Sequence, residues 1–524
     1  MTASLDHLTR IDRRRLLKSG SAVGLAAAAG LAPWQQALAA GGTLRAGMVG
    51  GSFVSLDPGK ASAAPDFWIL WAMFNGLTKF DKDMNIVPDL AESWENPDPL
   101  TWVFRLRQGV KFHDGNEMTA DDVKFTLDRV RDEAFGSPNR SKLASVEAVR
   151  IVDPYTVEIK TKQPFAPLLT YLTNTRSGTQ IVSRKAVESG TQQDFARRPI
   201  GTGAFKMVEW RPNEKVVLAA HKDYFVKGLP HLDMVEIPLI AEESSAVSAL
   251  LANNVDLIGR APFDQVQRLE KTSSVTVYKS PGMNCRYMAL NLKRPPFDDV
   301  HLRRALSMGF DRNVVLQAVL FGEGVASQGN IPPSLSWAFD AVKRDVCAFS
   351  PEKAKAELAQ SKYKSGAKAV VLTWGSSFWR RWGELFTAQV NQTLGTNLTV
   401  EVSDANTANQ RFLKGDYDAL TWGYTGLTEA DEYLSECFHT RGWRNTGGYS
   451  NPEVDKLLDQ ARQELDRERR GKLYIQAERM LAEEVPAIFT FHANVHQVFS
   501  KRVQGYQGLP YEGFGAQFAP VTLG

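Results

Sequence analysis

Cysteine is nearly missing from this sequence. Only Cys285, Cys347 and Cys437 occur in 524 residues, too few and too far apart for a disulfide scaffold or a closed zinc site, and enough for one bridge at most. Net charge is nearly missing too: 62 basic against 59 acidic side chains leave +3, which gives a nucleic-acid partner no electrostatic footing. The uncharged run Ser19 to Leu31 has about 13 residues, short of the ~20 that a membrane-spanning helix needs. There is no G-x-S-x-G, no P-loop and no G-x-G-x-x-G after a strand, so the enzyme classes those strings announce are not indicated. Ser350-Pro351-Glu352-Lys353 spells S-x-x-K, yet Ser350 fits a helix cap and no K-T-G follows, which leaves a serine acyl-transfer enzyme a distant alternative. His492 and His496 stand four apart in an alternating, strand-like stretch that would separate them by ~13 Å, too far to chelate one metal. Cys437-Phe438-His439 is a lone pair of soft donors. The expectation is a non-enzyme with no catalytic residue, no metal and no cofactor.

What is present begins with a distinctive N-terminus. Arg13-Arg14-Arg15 precede the uncharged run, and Ala37-Leu38-Ala39 closes it as an A-x-A cleavage site, so residues 1–39 are expected to form a signal peptide. The string resembles a twin-arginine export signal, with Asp12 where Ser or Thr is commoner and Leu16 where Phe is commoner. No cysteine lies near the cleavage site for lipid attachment. A cut after Ala39 leaves 57 basic against 57 acidic side chains, an electrically balanced chain expected in the periplasm.

Beyond that point strand and helix signals alternate, with no internal repeat, and an α/β class follows. Trp102, Phe104 and Leu106 alternate with Val103, Arg105 and Arg107, the period of a strand with one buried face. Thr119 opens a helix whose first turn carries Asp121 and Asp122 and whose apolar stripe is Val123, Leu127 and Val130. Ser350-Pro351 and Asn451-Pro452 open two more helices, a cap followed by proline at the first helical position. Strands are expected at Tyr155 to Lys160, Lys215 to Ala220, Val275 to Tyr278, Ala369 to Trp374 and Leu398 to Val402.

A series of short strings then runs through the chain in order: Gly42-Thr43-Leu44-Arg45, Ser55-Leu56-Asp57-Pro58, Pro88-Asp89-Leu90-Ala91-Glu92-Ser93-Trp94, the dense stretch from Thr101 to Val130, Pro199-Ile200-Gly201-Thr202-Gly203-Ala204-Phe205, Met288-Ala289-Leu290-Asn291, and Gly448-Tyr449-Ser450-Asn451-Pro452. Together they resemble the family 5 extracytoplasmic solute-binding proteins, the dipeptide-, oligopeptide- and nickel-binding receptors of ABC importers. The resemblance implies a bilobed periplasmic-binding-protein fold of three domains: residues 40–75, 200–283 and 490–524 as a discontinuous first domain, 76–199 inserted into it, and 284–489 as the other lobe. It implies a monomer that closes on its ligand between the lobes and delivers it to the permease's transmembrane subunits. The ligand expected is a small organic solute, a peptide or peptide-like carboxylate. A metal chelate, haem, an opine or a glycoside on the same fold is the alternative.

Candidate contacts follow from both the residues and the resemblance. Trp374, Trp379, Arg380 and Arg381 lie at a strand-to-helix junction, where indoles stack and a guanidinium pairs with carboxylate. By resemblance, Arg380 or Arg381 would take a ligand carboxylate. The alternative is packed tryptophans and solvated arginines. Trp422 and Tyr424 lie on a short strand ending at Gly426, where peptide receptors carry an aromatic residue and then an aspartate for the ligand ammonium. Leu427 stands in the aspartate's place, which argues against a free amino terminus. Glu429 or Asp431 could replace that charge, and exposed caps of a helix beginning near Glu432 are the favoured alternative. Ser52 and Phe53 resemble an early cleft-lining loop or are core contacts. Asn174, Thr175 and Arg176 are weaker candidates, with Arg176 readable as surface charge alone.

Overall fold

The computed structural model describes residues 42–50, 53, 55–514 and 518–524, so the expected signal peptide and Ser52 lie outside it. Its main sheet has twelve strands. On one side Thr43–Val49 pairs in parallel with Met234–Ile240, which continues antiparallel into Lys215–Ala220 and Phe205–Arg211. On the other side Lys368–Trp374 lies parallel between Asn397–Ser403 and Ala419–Thr425. The 14-residue strand Ala487–Ser500 joins the two halves. Its beginning pairs with Asn284–Leu290 and its end with Val275–Pro281, so two adjacent segments thread both lobes. Gly282 sits at this crossing. A Cβ there would lie 2.7 Å from the Ala493 carbonyl and closer still to Asn284, so a side chain would push the strands apart.

A separate antiparallel sheet carries Ala91–Asp98, Thr101–Leu106, Thr156–Thr161 and Val146–Asp153 in spatial order. Trp102, Phe104 and Leu106 are buried as their alternation requires, and Arg105 is exposed. The helix Ala120–Arg131 covers this sheet through buried Val123, Leu127 and Val130. Each such fully buried side chain contributes about 1.5–3 kcal/mol. Asp122, in the helix's first turn, accepts the backbone N–H of Thr119 at 3.0 Å. Arg129 at the other end donates two hydrogen bonds, 3.0 and 2.6 Å, to the buried carboxylate of Asp57. That pair fastens this sheet's helix to the Ser55-Leu56-Asp57-Pro58 turn.

The helices Pro351–Gln360 and Pro452–Gln463 start at the expected prolines. Asn451 caps the second through its side chain, whereas Ser350 occupies the cap position without a side-chain bond. All three cysteines are buried free thiols. Both histidines of the suspected pair lie on Ala487–Ser500 and have separate partners: His492 Nδ1 meets the Asn284 carbonyl at 2.7 Å, and His496 Nε2 meets Glu323 at 2.9 Å.

Candidate functional site

Between the two lobes runs a seam in which charged side chains are buried. Its floor on the second lobe is the helix Ala430–Phe438, every residue of which is buried. Four acids cluster there. Glu429 caps the helix, accepting the Ala430 N–H at 3.1 Å, and also accepts from Thr170 Oγ1 of the first lobe at 2.9 Å. Asp431 is held bidentately by Arg462 at 2.7 and 3.0 Å. Glu432 accepts the Thr428 N–H at 2.9 Å and lies 3.9 Å from Lys142 of the first lobe. Glu436 lies 3.2 Å from Arg444. Burial pushes the carboxyls of Glu429 and Glu436 upward, with Arg470 and Arg444 pulling the other way.

The first lobe answers with cations. Arg176 reaches across to donate to the Thr425 carbonyl while its other nitrogen donates to Ser62 O at 3.1 Å. Burial pulls its guanidinium below the usual range, and neighbouring Arg444 adds to that. Lys142 donates to the Arg176 carbonyl. In the opposite direction Arg286, the one charged residue on the buried strand Asn284–Leu290, donates to the Tyr424 carbonyl at 2.9 Å and to Glu512 of the first lobe at 3.2 Å.

Aromatic rings wall the same region. Trp374 stacks on Trp379 at 4.8 Å and meets Trp422 edge-on at 5.4 Å. Trp422 stacks on Phe412 at 4.0 Å and lies 6.1 Å from Tyr424. Arg286 sits over Trp379 at 5.4 Å and Arg444 over Tyr424 at 4.2 Å, both cation–π contacts. The facing sides of this seam are joined by two continuous strand segments.

Residues 85–445 match the family described as bacterial extracellular solute-binding proteins, family 5 Middle. The chain belongs to that family. Its relatives include the glutathione-binding protein GsiB of Pectobacterium atrosepticum and that of Escherichia coli K12, each 28% identical over 485 residues, covering 90% of this chain and 93% of the relative. Among solved structures, the AgaA binding protein from A. tumefaciens R10 in complex with agropinic acid is 26% identical with a TM-score of 0.79, covering 92% of this chain and 99% of that one. The DppA periplasmic binding protein of Helicobacter pylori with the peptide STSA shares the fold at a TM-score of 0.81 and 23% identity, covering 93% and 99%. It is therefore an extracellular solute-binding protein of family 5, with the α/β fold of the solved binding proteins. Among the described residues no helix is long and apolar enough to cross a membrane.

In this family 5 receptor the aromatic candidates Trp374, Trp379, Trp422 and Tyr424 come together, the first two from a consecutive strand and helix and the other two from a strand more than forty residues further on. Arg380 and Arg381 do not join them. Both are exposed on the helix Ser377–Leu394, and Arg380 is 3.8 Å from Glu384 one turn on. Phe53 is half-buried and packs edge-on against Trp210 of its own lobe at 6.1 Å. Leu427 is buried in the core beneath the seam, its carbonyl accepting from Tyr433 Oη at 3.1 Å.

Three expectations are corrected here. Glu429 and Asp431 are not exposed caps: they are 1% and 0% exposed because cations and a threonine from neighbouring elements close over them. Their helix begins at Ala430, not near Glu432. Arg176 is not a surface charge but a contact between lobes. Arg286 and Arg444 were missed in the sequence. A lone arginine inside the otherwise uncharged run Asn284–Leu290 was a usable signal for the first, whereas Arg444 lies in a polar loop with none.

Proposed function

We propose that this receptor captures a peptide or peptide-like carboxylate in the seam and presents the closed form to the transmembrane subunits of an ABC permease. The observation that carries the reading is which hydrogen-bonding groups of the seam remain unspent. Three of the four acids are occupied, Asp431 by Arg462, Glu429 by Thr170 and Arg470, and Glu432 by its own helix and Lys142, while Glu436 has the ion pair with Arg444 and one oxygen without a hydrogen bond. Among the described residues, the buried N–H groups without a partner include Arg286 Nε, Arg444 Nη1 and Trp374 Nε1. Unspent donors beside cations and indole faces suit a carboxylate on a flat or carbonyl-rich body. With Leu427 in the ammonium-binding position and the charge of Glu436 already balanced by Arg444, the seam favours an anion over a free amino terminus. The anion contact is assigned to Arg286 and Arg444 in place of exposed Arg380 and Arg381. GsiB is named for binding glutathione and AgaA was solved with agropinic acid; both names agree with an anionic solute, the first with a peptide.

A thermal-shift panel of dipeptides, their N-acetyl forms and their C-terminal amides tests this. A ligand at about 100 times its Kd adds about 2.7 kcal/mol to folded stability. N-acetylation is expected to leave the shift intact and amidation to remove it. Amides that stabilise as well as the acids would refute the proposal.

A further inference from the structure

The first lobe contains a cavity of about 180 Å³ that neither the seam pairs nor the aromatic wall uses. It is larger than the ~150 Å³ engineered cavity that takes a benzene ring. Trp71, from the helix Ala64–Met73, and Tyr511 form one wall, with ring centroids 5.2 Å apart. Phe205 and Leu509 supply apolar surface. Asp89 and Lys79 supply the polar side.

The polar side is already satisfied within itself. Both oxygens of buried Asp89 accept from Asn75 Nδ2, at 3.1 and 3.0 Å, and Lys79 lies 3.8 Å away to balance its charge. Burial pushes the Asp89 carboxyl up to about 6, so it is ionised at neutral pH beside that lysine. Thr202 in turn donates to Asn75 Oδ1 at 3.1 Å. The cavity's formal charges therefore cancel. The other wall differs. Trp71 is 4% and Tyr511 1% exposed, and among the described residues neither the indole N–H nor the phenol O–H has a hydrogen-bond partner. Buried donors are almost always paired in native proteins, so these two call for a partner, and the cavity they face is where a water or a ligand group would supply it.

The cavity also adjoins the seam. Tyr511 precedes Glu512, which pairs with Arg286 of the other lobe, and Thr175 on the cavity wall precedes Arg176, which reaches Thr425. We propose that this cavity is a specificity pocket that admits an uncharged, carbonyl-bearing side group of the solute held in the seam, its oxygen accepting from Trp71 Nε1 and Tyr511 Oη. A charged group is disfavoured because Asp89 and Lys79 already balance each other's charge. Placing the pocket beside a bound solute rests on the seam being the ligand site; the chemistry of the pocket does not.

Two arms keep these apart. In the first, full chain carrying ¹⁵N-indole label is titrated with 2-pyrrolidone, a small ring amide, and the Trp71 indole resonance is followed, assigned by its loss in Trp71→Phe. A saturable shift is expected at Trp71 and not at the exposed indole of Trp443. Tyr511→Phe, which keeps the ring and removes one hydrogen bond, is expected to weaken this binding about five- to tenfold. No movement of the Trp71 resonance, or an unchanged midpoint in Tyr511→Phe, overturns the pocket whatever the seam binds. In the second arm, affinities of N-acetyl-glycyl-glutamine and N-acetyl-glycyl-norleucine are compared in both proteins. Tyr511→Phe is expected to weaken the glutamine solute by the same factor and leave the norleucine solute alone. Equal effects on the two solutes overturn the role as a side-group pocket. If neither solute binds, the seam assignment fails while the first arm still decides the cavity.

Discussion

Among single residues, the arginines separate by burial. Arg286 is 7% exposed and held by two carbonyls and Glu512, whereas Arg380 and Arg381 are solvated. Exposed ion pairs contribute about 0–1 kcal/mol, so Arg380→Ala and Arg381→Ala are expected to change carboxylate-ligand affinity by no more than about twofold in calorimetry. Arg286→Lys keeps the charge but loses the planar fork and is expected to cost about tenfold or more. A large loss in Arg380→Ala would move the anion site back to that helix. A second residue sets a pH dependence. Burial pushes the carboxyl of Glu478 up to about 7, even though it accepts the N–H groups of Asn330 and Ile331 at 2.7 and 2.8 Å. The folded state thus holds this proton more tightly than the unfolded chain does, and its contribution to stability grows as pH falls from 7 towards 4.5. Glu478→Gln mimics the protonated form. Its stability relative to the parent is expected to be higher at pH 8 than at pH 5, by up to about 3 kcal/mol in urea denaturation. An equal difference at both pH values would show that Glu478 does not titrate as a buried group.

The helix Ala430–Phe438 shows how one element organises the seam. Its capping acids are ordinary in sequence, since first-turn carboxylates favour any helix. Burying them commits the fold to supply cations, and Arg462, Arg470, Arg444 and Lys142 come from four other places in the chain. Breaking a buried pair leaves one charge without its partner. Asp431→Asn is expected to destabilise by about 2–4 kcal/mol in denaturant titration, below the deepest cases because Arg462 is partly solvated. A change under about 0.5 kcal/mol would mean that water, not Asp431, satisfies Arg462. The strand Ala419–Thr425 makes the complementary point. Gly423 lies opposite Arg286, and a Cβ there would be 2.2 Å from the Cys285 carbonyl, so only glycine lets the two strands approach while the arginine side chain passes.

For the molecule as a whole, Arg176, Thr170, Lys142 and Arg286 make contacts across the seam, and on the proposed closure these contacts would break when the lobes part. They stabilise the closed form with or without solute. Arg176→Ala is therefore expected to lower apparent affinity for every ligand by a similar factor, about three- to tenfold, because it shifts the closed population rather than one ligand contact. A loss confined to one ligand class would make Arg176 a direct contact instead. Small-angle scattering checks the motion: ligand is expected to reduce the radius of gyration, and less so at equal ligand concentration in Arg176→Ala. Much of this architecture was legible beforehand. Alternation placed Trp102, Phe104 and Leu106 inward, proline and cap residues opened the helices at Pro351 and Pro452, and the ordered strings from Gly42 to Pro452 named the family. Those features depend on neighbours a few residues apart, which a sequence displays directly. The aromatic set Trp374, Trp379, Trp422 and Tyr424 was legible as candidates because its members sit at a strand-to-helix junction and on a strand running into a glycine loop. Which charges meet was not. Whether Glu429 is an exposed cap or a buried acid, and whether Arg176 is solvated or a bridge between lobes, depends on what stands across a gap of some 250 residues of chain. Only the tertiary structure decided that, because the energy of a charge is set by the partner and the solvent around it, and neither is written in its own segment.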